Sequence, residues 1–240
     1  MAENVLDGRV VLVVGGRSGI GLRIAADAAA AGAEVVLAGR KPGELTSAAA
    51  DIDGAVRVVR ADLQEEESLA ELAATVGEVD HVVTLAAAPA NGPLAELDHA
   101  AITRAFEAKV IGPLLLAKHL APRIRPGGSI LLFSGLAAWR PSPQRVVMAT
   151  ANGAVSFLAA ALAVELAPIR VNAISPGIID SGSWDALGVA KDGLFSDTAR
   201  RIPARRVGQP ADIAAMALLT FTNPFLTGTT LHVDGGGRLA

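Results

Sequence analysis

A glycine-rich turn near the start of the chain has the composition of a phosphate-binding loop. Residues 14–21 read Val-Gly-Gly-Arg-Ser-Gly-Ile-Gly and stand between a β-branched run and a helical pattern. Glycines allow a tight turn and a close backbone approach, and the free N–H groups at a helix start attract a pyrophosphate. We predict a dinucleotide-phosphate site here rather than a turn that merely needs glycines. Its predicted residues are Gly15, Arg17, Ser18, Gly19, Ile20 and Gly21.

The end of the second predicted strand carries a basic residue where an acidic one would select NAD(H). An acidic side chain at this position binds the ribose 2′-hydroxyl, whereas a basic one suits a 2′-phosphate. The chain has Gly39 at the acidic position, followed by Arg40, and Arg17 in the glycine turn adds a second positive charge. These residues favour NADP(H) over NAD(H). The alternative is that both arginines are solvated turn residues.

Strands and helices that must position these residues alternate along the chain. Buried β-branched runs occupy 10–14, 35–38, 56–59, 81–85, 130–133, 169–174 and 231–233. Helical spacing of apolar residues covers 20–31, 66–76, 99–124, 144–166 and 211–220. This alternation predicts an α/β fold, one domain over 1–240 with a doubly wound parallel seven-stranded sheet and helices on both faces. Residues 182–210 break the rhythm, and we predict that they form a loop covering a substrate site.

Composition excludes several kinds of chemistry. The 240 residues include no Cys, so the chain has no disulfide and no thiolate nucleophile, and no Tyr, so it has no phenolic acid. A net charge of −3 and an aromatic content of 3% disfavour a nucleic-acid surface. No two of the four His have metal-ligand spacing, and we expect no metal site and no catalytic histidine.

The sequence predicts neither a membrane-spanning segment nor a signal peptide. The longest apolar helical stretch, 154–164, is about half of the roughly 20 residues that span a bilayer. The first nine residues carry Glu3 and Asp7 and lack the basic start and cleavage site of a signal peptide. We therefore expect a cytoplasmic protein without a membrane partner.

Further segments resemble the short-chain dehydrogenase/reductase family, and the likeness runs nearly from end to end. Besides the glycine turn, these are 61–63 (Ala-Asp-Leu), 172–181 with its Asn and Pro-Gly pair, and the closing segments 207–214 and 227–236. The resemblance implies a three-layer Rossmann fold and commonly a homodimer or homotetramer built through the two long helices. The further cofactor contacts that it implies are Asp62, Leu63, Ala86, Pro176, Gly177, Ile179 and Ser181.

The catalytic set that the resemblance implies is altered. Members of this family use a Tyr that passes the proton, a Lys that lowers its pKa and binds the ribose, a Ser that orients the carbonyl, and an Asn. Aligning residues 153–157 with the family puts Val147 at the Tyr position and Ala151 at the Lys position. Ser134 lies thirteen residues before Val147, the usual spacing, and Lys109 stands where the Asn is expected.

Lys109 is our candidate for the missing acid. Residues 147 and 151 are one helical turn apart and should both face the site, so Lys109 could reach the space beside Ala151 and, if desolvated, donate a proton near neutral pH. The alternative is a structural lysine paired with a carboxylate. Ser134 is expected to polarise a substrate oxygen, or else to cap the strand end. Residues that could line the substrate mouth are Arg140, Gln144, Arg145, Trp184 and Asp185.

Three readings of function follow from these residues. The leading one is an atypical NADP(H)-dependent oxidoreductase that moves a hydride to or from a carbonyl, enone or imine of a small molecule. A second is an enzyme of the same fold without net redox chemistry, such as a cyclase, isomerase or dehydratase. A third is a catalytically silent NADP(H)-binding protein that senses redox state or supports a partner.

Overall fold

The computed structural model describes residues 4–85 and 87–240, which form a seven-stranded sheet and eight α-helices. The strands are β1 (Val10–Val14), β2 (Glu34–Gly39), β3 (Val56–Arg60), β4 (Val79–Thr84), β5 (Ile124–Phe133), β6 (Arg170–Pro176) and β7 (Thr230–Val233). The helices are α1 (Gly19–Ala30), α2 (Pro42–Ala49), α3 (Glu66–Val76), α4 (His99–Phe106), α5 (Gly112–Leu120), α6 (Val146–Glu165), α7 (Ala190–Arg201) and α8 (Pro210–Thr222).

All neighbouring strands of the sheet are parallel, in the order β3-β2-β1-β4-β5-β6-β7. The predicted α/β architecture is therefore confirmed. Strand β1 is buried along its whole length, which explains its near-continuous Val content, and β4 is buried along its whole length as well. The order reverses between β1 and β4, and ligands of such sheets bind in the crevice outside the carboxyl ends of the strands at this point.

Two apolar layers cover the sheet. On one face, Leu72 of α3, Leu116 of α5 and Ala159 of α6 pack against the strands. On the other face, Ile24 of α1 and Ala217 of α8 belong to a second buried cluster. Side chains of one strand alternate between the two layers, so every second residue points to the same face. The fold thus has three layers, with both faces of the central sheet covered by helices.

The helical pattern over 99–124 contains an irregularity that the sequence does not reveal. Helices α4 and α5 are joined by one π-helical stretch, Glu107–Ile111, which widens the helix around Lys109. Single π-helical turns inside α-helices are frequent at functional sites. The extra residue per turn rotates the helix, so apolar spacing alone cannot locate it.

Residues 182–210, predicted as a covering loop, contain the twelve-residue helix α7. Its residues are mostly polar and exposed, and only Thr198 is buried. The sequence therefore lacks the apolar periodicity that would predict a helix here. The eight-residue helix α2 was likewise absent from the prediction, because it is short and buries only Leu45 and Ala48. Both helices flank the carboxyl edge of the sheet.

Helix α6 is the one helix of the described residues that has the length and hydropathy of a membrane span. It has 20 residues and a mean hydropathy of 1.8, with 39% of that window buried. Val155, Ala159 and Leu162 pack in the core cluster on the sheet. Because this face is part of the protein interior, the apolar character of α6 matches that of a core helix.

Candidate functional site: a dinucleotide cleft and its buried polar end

A cleft of about 520 Å³ opens at the carboxyl ends of β1 and β2. It collects ten residues predicted to bind a cofactor: Gly15, Arg17, Ser18, Gly19, Ile20, Gly21, Arg40, Asp62, Leu63 and Ser181. Residues that the sequence did not single out also line it, including Lys41, Glu44, Leu85 and Ala108. Ala86, another predicted contact, lies outside the described residues. The cleft therefore joins the glycine turn, the end of β2 and the segment after β6.

The glycine turn is shaped by two positions where a side chain does not fit. Gly19 has φ of +56°, and a Cβ atom there would lie 2.4 Å from the Ser181 carbonyl oxygen. A Cβ atom on Gly21 would lie 2.5 Å from the carbonyl oxygen of Gly15. Helix α1 begins directly in this turn, with Ser18 at its N-cap. The helix start and its N–H groups are thereby presented to the cleft, as phosphate binding requires.

The rim at the end of β2 carries three cations and one carboxylate. Arg17, Arg40, Lys41 and Glu44 all line the cleft. Glu44 accepts a hydrogen bond from Lys41 Nζ at 2.7 Å and lies 3.3 Å from Arg17 Nε. The hydrogen bond from Lys41, together with the charges of Lys41 and Arg17, lowers the pKa of Glu44. Three positive groups against one negative group leave this rim suited to a phosphate.

Asp62 also lines the cleft, just after β3, the strand next to β2. One of its carboxylate oxygens accepts the Gln64 backbone N–H at 3.1 Å, and its own N–H donates to Ser68 Oγ at 3.0 Å. This local turn fixes the direction of the side chain. Asp62 is thus positioned at the cleft rather than being a mobile surface residue.

Three predicted cofactor contacts do not line the cleft but pack behind it: Pro176, Gly177 and Ile179. A Cβ atom on Gly177 would lie 2.8 Å from the Asp234 Cα atom, so this segment packs tightly against the end of β7. Ile179 is buried and forms a parallel bridge with Gly208. These contacts hold Ser181 over the glycine turn, which is an indirect role in shaping the cleft.

Lys109 is buried at the carboxyl end of β5. Only 6% of the residue is exposed, and its Nζ donates to the carbonyl oxygens of Phe133 at 2.7 Å and Ser134 at 3.3 Å. Burial lowers the pKa of Lys109 to about 8. Among the described residues no carboxylate pairs with it, so the structure does not show the alternative of a structural ion pair. The preceding residue, Ala108, lines the cleft, which places Lys109 directly behind the cleft wall.

The Ser134 hydroxyl is engaged by helix α6. Its Oγ donates to the Asn152 carbonyl oxygen at 2.8 Å and accepts from Ser156 Oγ at 3.3 Å. The residue is 4% exposed. In this arrangement Ser134 ties β5 to α6, and contact with a substrate oxygen would require its hydroxyl to leave α6.

The first turns of α6 distribute their side chains differently from our expectation. Val147 packs in a small apolar cluster with Ala90 and Ala105, and Ala151 is fully buried. The polar side chain beside the strand end is instead that of Asn152, which our alignment did not single out. A Cβ atom on Gly135 would lie 2.9 Å from Asn152 Nδ2, so the carboxamide lies directly against this glycine. The available signal was that Asn152 is one of few polar residues in a mostly apolar helix.

Unpaired buried oxygens gather at this end of the sheet. Thr84 Oγ1, Asn152 Oδ1 and Ser175 Oγ have no hydrogen-bond partner within residues 4–85 and 87–240. Thr84 ends β4 and Ser175 is the penultimate residue of β6. Both follow core residues of the α6-covered face by two positions, so they point to the same face as Ser134. Most buried polar atoms are paired, so a cluster without partners is typical of a site that binds a ligand or water.

The histidines lie elsewhere. His81, at the amino half of β4, stacks on Phe221, and its Nδ1 contacts Ser129 Oγ at 2.9 Å. Burial lowers the pKa of His81 to about 4, so this ring stays neutral. His232 packs edge-on against Trp139. In the described part of the chain, no three His, Asp or Glu side chains come together as metal ligands.

Residues suggested for the substrate mouth make local contacts. Arg140 donates to the Gly237 carbonyl oxygen, and Trp184 Nε1 donates to that of Ile179 at 3.1 Å. Asp185 pairs with Lys191 of α7. These contacts attach the segment after β6 and the C-terminal residues to the carboxyl edge of the sheet.

Comparison with known proteins agrees with this architecture. Residues 14–237 match the family model described as enoyl-(acyl carrier protein) reductase. The short-chain dehydrogenase/reductase ucsE of an Acremonium species is 32% identical over 264 residues, which cover 98% of this chain and 97% of that protein. The chain belongs to the short-chain dehydrogenase/reductase family. Human dehydrogenase/reductase SDR family member 4 is 32% identical, over 96% of this chain and 88% of its own length.

Two solved structures of family members are informative about the cleft. A small-chain dehydrogenase in complex with NADPH has a TM-score of 0.84 and 31% identity, over 98% of this chain and all of that one. The MalC reductase/Diels-Alderase of Malbranchea aurantiaca has a TM-score of 0.93 and 29% identity, with full coverage of both chains. One family fold therefore carries NADPH binding in the first protein and a named cycloaddition activity in the second.

Proposed function

We propose that this protein is an NADP(H)-dependent oxidoreductase acting on a carbonyl, enone or imine of a small molecule. The observation that carries the proposal is the cleft itself, where a glycine turn at a helix start faces a rim with Arg17, Arg40 and Lys41. A pyrophosphate fits the first feature and a 2′-phosphate fits the second. The structure of an NADPH-bound relative supports the same cofactor.

The residues present fit this cofactor at both ends. Asp62 lies across the cleft from the glycine turn and would hold the adenine, and Arg40 would hold the 2′-phosphate. The unpaired oxygens of Thr84 and Asn152, at the carboxyl end of the sheet, are polar groups that a bound nicotinamide nucleoside can satisfy. NADPH, when bound, supplies the hydride. The chain's own residues must then orient the substrate, exclude water and provide the proton.

Lys109 is the proposed proton donor. Its ammonium group is buried behind the cleft wall, and its pKa of about 8 leaves it protonated at neutral pH but able to release a proton. The carbonyl oxygens of Phe133 and Ser134 hold Nζ in place and accept hydrogen bonds from two of its three N–H groups. The third proton is the one available for a ligand. A group with a pKa close to the working pH is an effective general acid.

The proposal is tested by titrating the purified protein with NADPH and with NADH, followed by a substrate panel. Binding is measured by nicotinamide fluorescence, and consumption by the NADPH absorbance with cyclohexenone, diacetyl and pyrroline as an enone, a diketone and an imine. We expect tighter binding of NADPH than of NADH and consumption with at least one class. Absence of binding by both cofactors would overturn the proposal.

A non-redox activity is the second candidate, and the MalC neighbour is the observation that favours it. That protein's description joins a reductase with a Diels-Alderase on the same fold. The present chain lacks the phenol that the family uses as its acid, so its cleft could hold a cofactor and shape a substrate without hydride transfer. Tight NADPH binding with no consumption by any member of a broad carbonyl, enone and imine panel would favour this candidate.

We also propose that the protein is a homo-oligomer. Phe157 and Val164 of α6 are 80% and 82% exposed, and they lie on the face of the helix opposite to the core residues. Exposed apolar side chains on one helix face are typical of a subunit interface. Light scattering after size-exclusion chromatography should give the mass of a dimer or tetramer for the wild type and a smaller mass for Phe157→Glu.

A further inference from the structure

Thr198 is the one buried residue of α7, and its hydroxyl group has no hydrogen-bond partner. Only 2% of the residue is exposed, and Oγ1 makes no hydrogen bond within residues 4–85 and 87–240. The other residues of α7 are exposed or half-buried. Helices normally turn apolar side chains towards the protein interior. Helix α7 instead turns a hydroxyl group inwards.

The other helical threonines of the described chain make a bond that Thr198 does not make. Each of them donates its hydroxyl to a carbonyl oxygen three or four residues earlier: Thr46, Thr75, Thr103, Thr150, Thr220 and Thr222. Such a bond satisfies the hydroxyl within its own helix. The corresponding carbonyl for Thr198 is that of Leu194, and the bond to it is not formed. An unpaired buried hydroxyl destabilises a fold, so its presence calls for a ligand or a water.

Helix α7 is attached at both ends to segments that follow the last two strands. Near its start, Lys191 Nζ pairs with Asp180, which follows β6, at 2.9 Å. Beyond its end, Ile202 lies against the residue pair after β7, where a Cβ atom on Gly235 would be 3.0 Å from Ile202 Cδ1. Thr198 lies one turn before Ile202 and on the same side of the helix. Its hydroxyl is therefore placed between the two attachments, at the carboxyl edge of the sheet.

Two more unpaired buried atoms belong to these two strands. Ser175 Oγ of β6 and His232 Nδ1 of β7 lack partners among the described residues, and the strand register pairs the two residues with each other. Burial and the charge of Arg238 lower the pKa of His232, so its ring is neutral at neutral pH. Hydroxyl groups and a neutral imidazole donate or accept hydrogen bonds without a net charge. The unpaired groups here suit an uncharged oxygen function better than a carboxylate or a phosphate.

We propose that the Thr198 hydroxyl binds an uncharged carbonyl or hydroxyl oxygen of the substrate, separate from the group that is reduced. The substrate class is then a diketone or a hydroxyketone. The inference rests on the proposed function, because it concerns the substrate side of the same site. The segment that leads into α7 reaches the cofactor cleft, which Ser181 and Ser183 line. Thr198 is thereby a specificity-determining residue that the sequence did not single out.

The proposal distinguishes diketones from matched monoketones. We expect the wild type to have a higher kcat/KM with diacetyl and acetonylacetone than with butanone and 2-hexanone. Thr198→Val replaces the hydroxyl by a methyl group of similar size. It should lower kcat/KM for the preferred diketone about fivefold, through KM, which is the effect of one neutral hydrogen bond. The values for the monoketones should stay unchanged, and Thr198→Ser, which keeps the hydroxyl, should retain the preference.

The experiment combines steady-state NADPH oxidation with thermal melting of the ligand-free proteins. Thr220→Val is the matched control, since Thr220 is also a buried helical threonine but its hydroxyl donates to the Ala217 carbonyl oxygen at 2.7 Å. Thr198→Val should melt at or above the temperature of the wild type, because it removes an unpaired group. Thr220→Val should not exceed the wild type and should keep the substrate preference.

Each other outcome overturns a defined statement. A diketone preference that survives in Thr198→Val overturns the inference, and so does a wild type without this preference. A melting temperature of Thr198→Val below that of the wild type also overturns it, because the hydroxyl would then be structural, and this measurement needs no substrate. A wild type that binds NADPH but oxidises it with none of the four ketones overturns the assigned substrate class. Failure of the wild type to bind NADPH overturns the proposed function itself.

Discussion

At the amino end of β4, a buried charge is fully paired, whereas at the carboxyl end of the same sheet the buried polar groups are not. Asp80 has a completely buried side chain, and its oxygens accept from Arg9 Nη1 at 2.8 Å, from the Val10 N–H at 2.8 Å and from Arg125 Nη1 at 3.0 Å. Burial raises the pKa of Asp80, but the Val10 N–H and the two arginines outweigh it and bring the pKa below its usual value. The paired Asp80 carboxylate therefore stabilises the fold at the amino end of the sheet.

The carboxyl end has the opposite character. Lys109 is a buried cation without a carboxylate partner among the described residues, and three side-chain oxygens nearby are unpaired. Asp80 and Lys109 are both buried, so burial alone does not distinguish the two ends. The difference lies in whether the hydrogen-bonding capacity is used up. Paired groups such as Asp80 stabilise the fold, and a cluster of unpaired groups is typical of a ligand or water site, whereas Arg170 Nε at the amino end of β6 is also unpaired within the described chain.

The largest effect on stability is expected from Asp80→Asn. The neutral amide loses the ion pairs and cannot accept all three hydrogen bonds, and half-exposed Arg9 can rehydrate, so we expect a loss of about 2 to 3 kcal/mol. Denaturant unfolding measures this change. Asp53→Asn on the surface is the control, with a change within about 0.5 kcal/mol. A loss as small as that of the control would contradict the structural role of Asp80.

The ion pairs of Asp80 should also affect how stability depends on pH in acid. Because the folded pKa of Asp80 is depressed, its contribution is present above the pKa of the unfolded chain and is lost as pH falls through the folded value. Asp80→Asn should therefore reduce the stability difference between neutral pH and acid. An unchanged pH dependence would show that other carboxylates dominate acid unfolding.

Lys109→Met should have the reverse pattern, with a large effect on turnover and a small one on stability. Loss of a general acid costs about a hundredfold in rate. The ligand-free melting temperature should change little, because removing the burial penalty that lowers the Lys109 pKa to about 8 offsets the loss of the hydrogen bonds to the Phe133 and Ser134 carbonyl oxygens. Steady-state kinetics and thermal melting of the same preparation provide both numbers. A stability loss with unchanged turnover would reverse our assignment of the two ends.

Arg40→Ala should weaken the binding of NADPH by about tenfold or more, whereas the affinity for NADH should stay nearly unchanged. The guanidinium is expected to meet the 2′-phosphate, and a charged hydrogen bond of this kind contributes about 1.5 to 3 kcal/mol. Fluorescence titration of both cofactors gives the ratio. Arg57→Ala, which removes a surface pair with Glu34, is the charge-matched control. Equal weakening of both cofactors would place Arg40 away from the 2′-phosphate.

A smaller effect of opposite sign is expected from Glu44→Gln. In the free protein this carboxylate pairs with Lys41 and Arg17, the same cations that a 2′-phosphate would engage. Removing its charge should strengthen NADPH binding by about threefold relative to NADH. Glu65→Gln, whose carboxylate pairs with Arg60 outside the cleft, is the control. A shift in favour of NADH would show that Glu44 assists rather than opposes phosphate binding.

Much of the fold could be predicted because its strands are short buried β-branched runs separated by apolar helical spacing. The glycine turn could also be predicted, since no side chain fits at Gly19 or Gly21 and the sequence has glycine at both positions. Helix α7 could not be found, because a polar exposed helix has no apolar period. The same limit applies to Asn152, whose importance depends on the missing partners around it and not on any motif.

The alignment of α6 shows the limit of spacing arguments most clearly. Val147 and Ala151 were expected to face the site together, yet Val147 packs against Ala105 and the carboxamide beside Gly135 belongs to Asn152. A difference of one residue on a helix turns the side chain by about 100°. This rotation places the Asn152 carboxamide, and not the Ala151 methyl group, beside the end of β5.

The central claim is that Lys109 supplies the proton at the unpaired end of the sheet, and the pH dependence of hydride transfer tests it most directly. Stopped-flow absorbance should follow NADPH oxidation by the panel substrate that is consumed fastest. We expect a rate that is constant below pH of about 8 and falls about tenfold per unit above it, because the ammonium form is the donor. Lys109→Met should be slow and lack this break. The same break in both proteins would contradict the account.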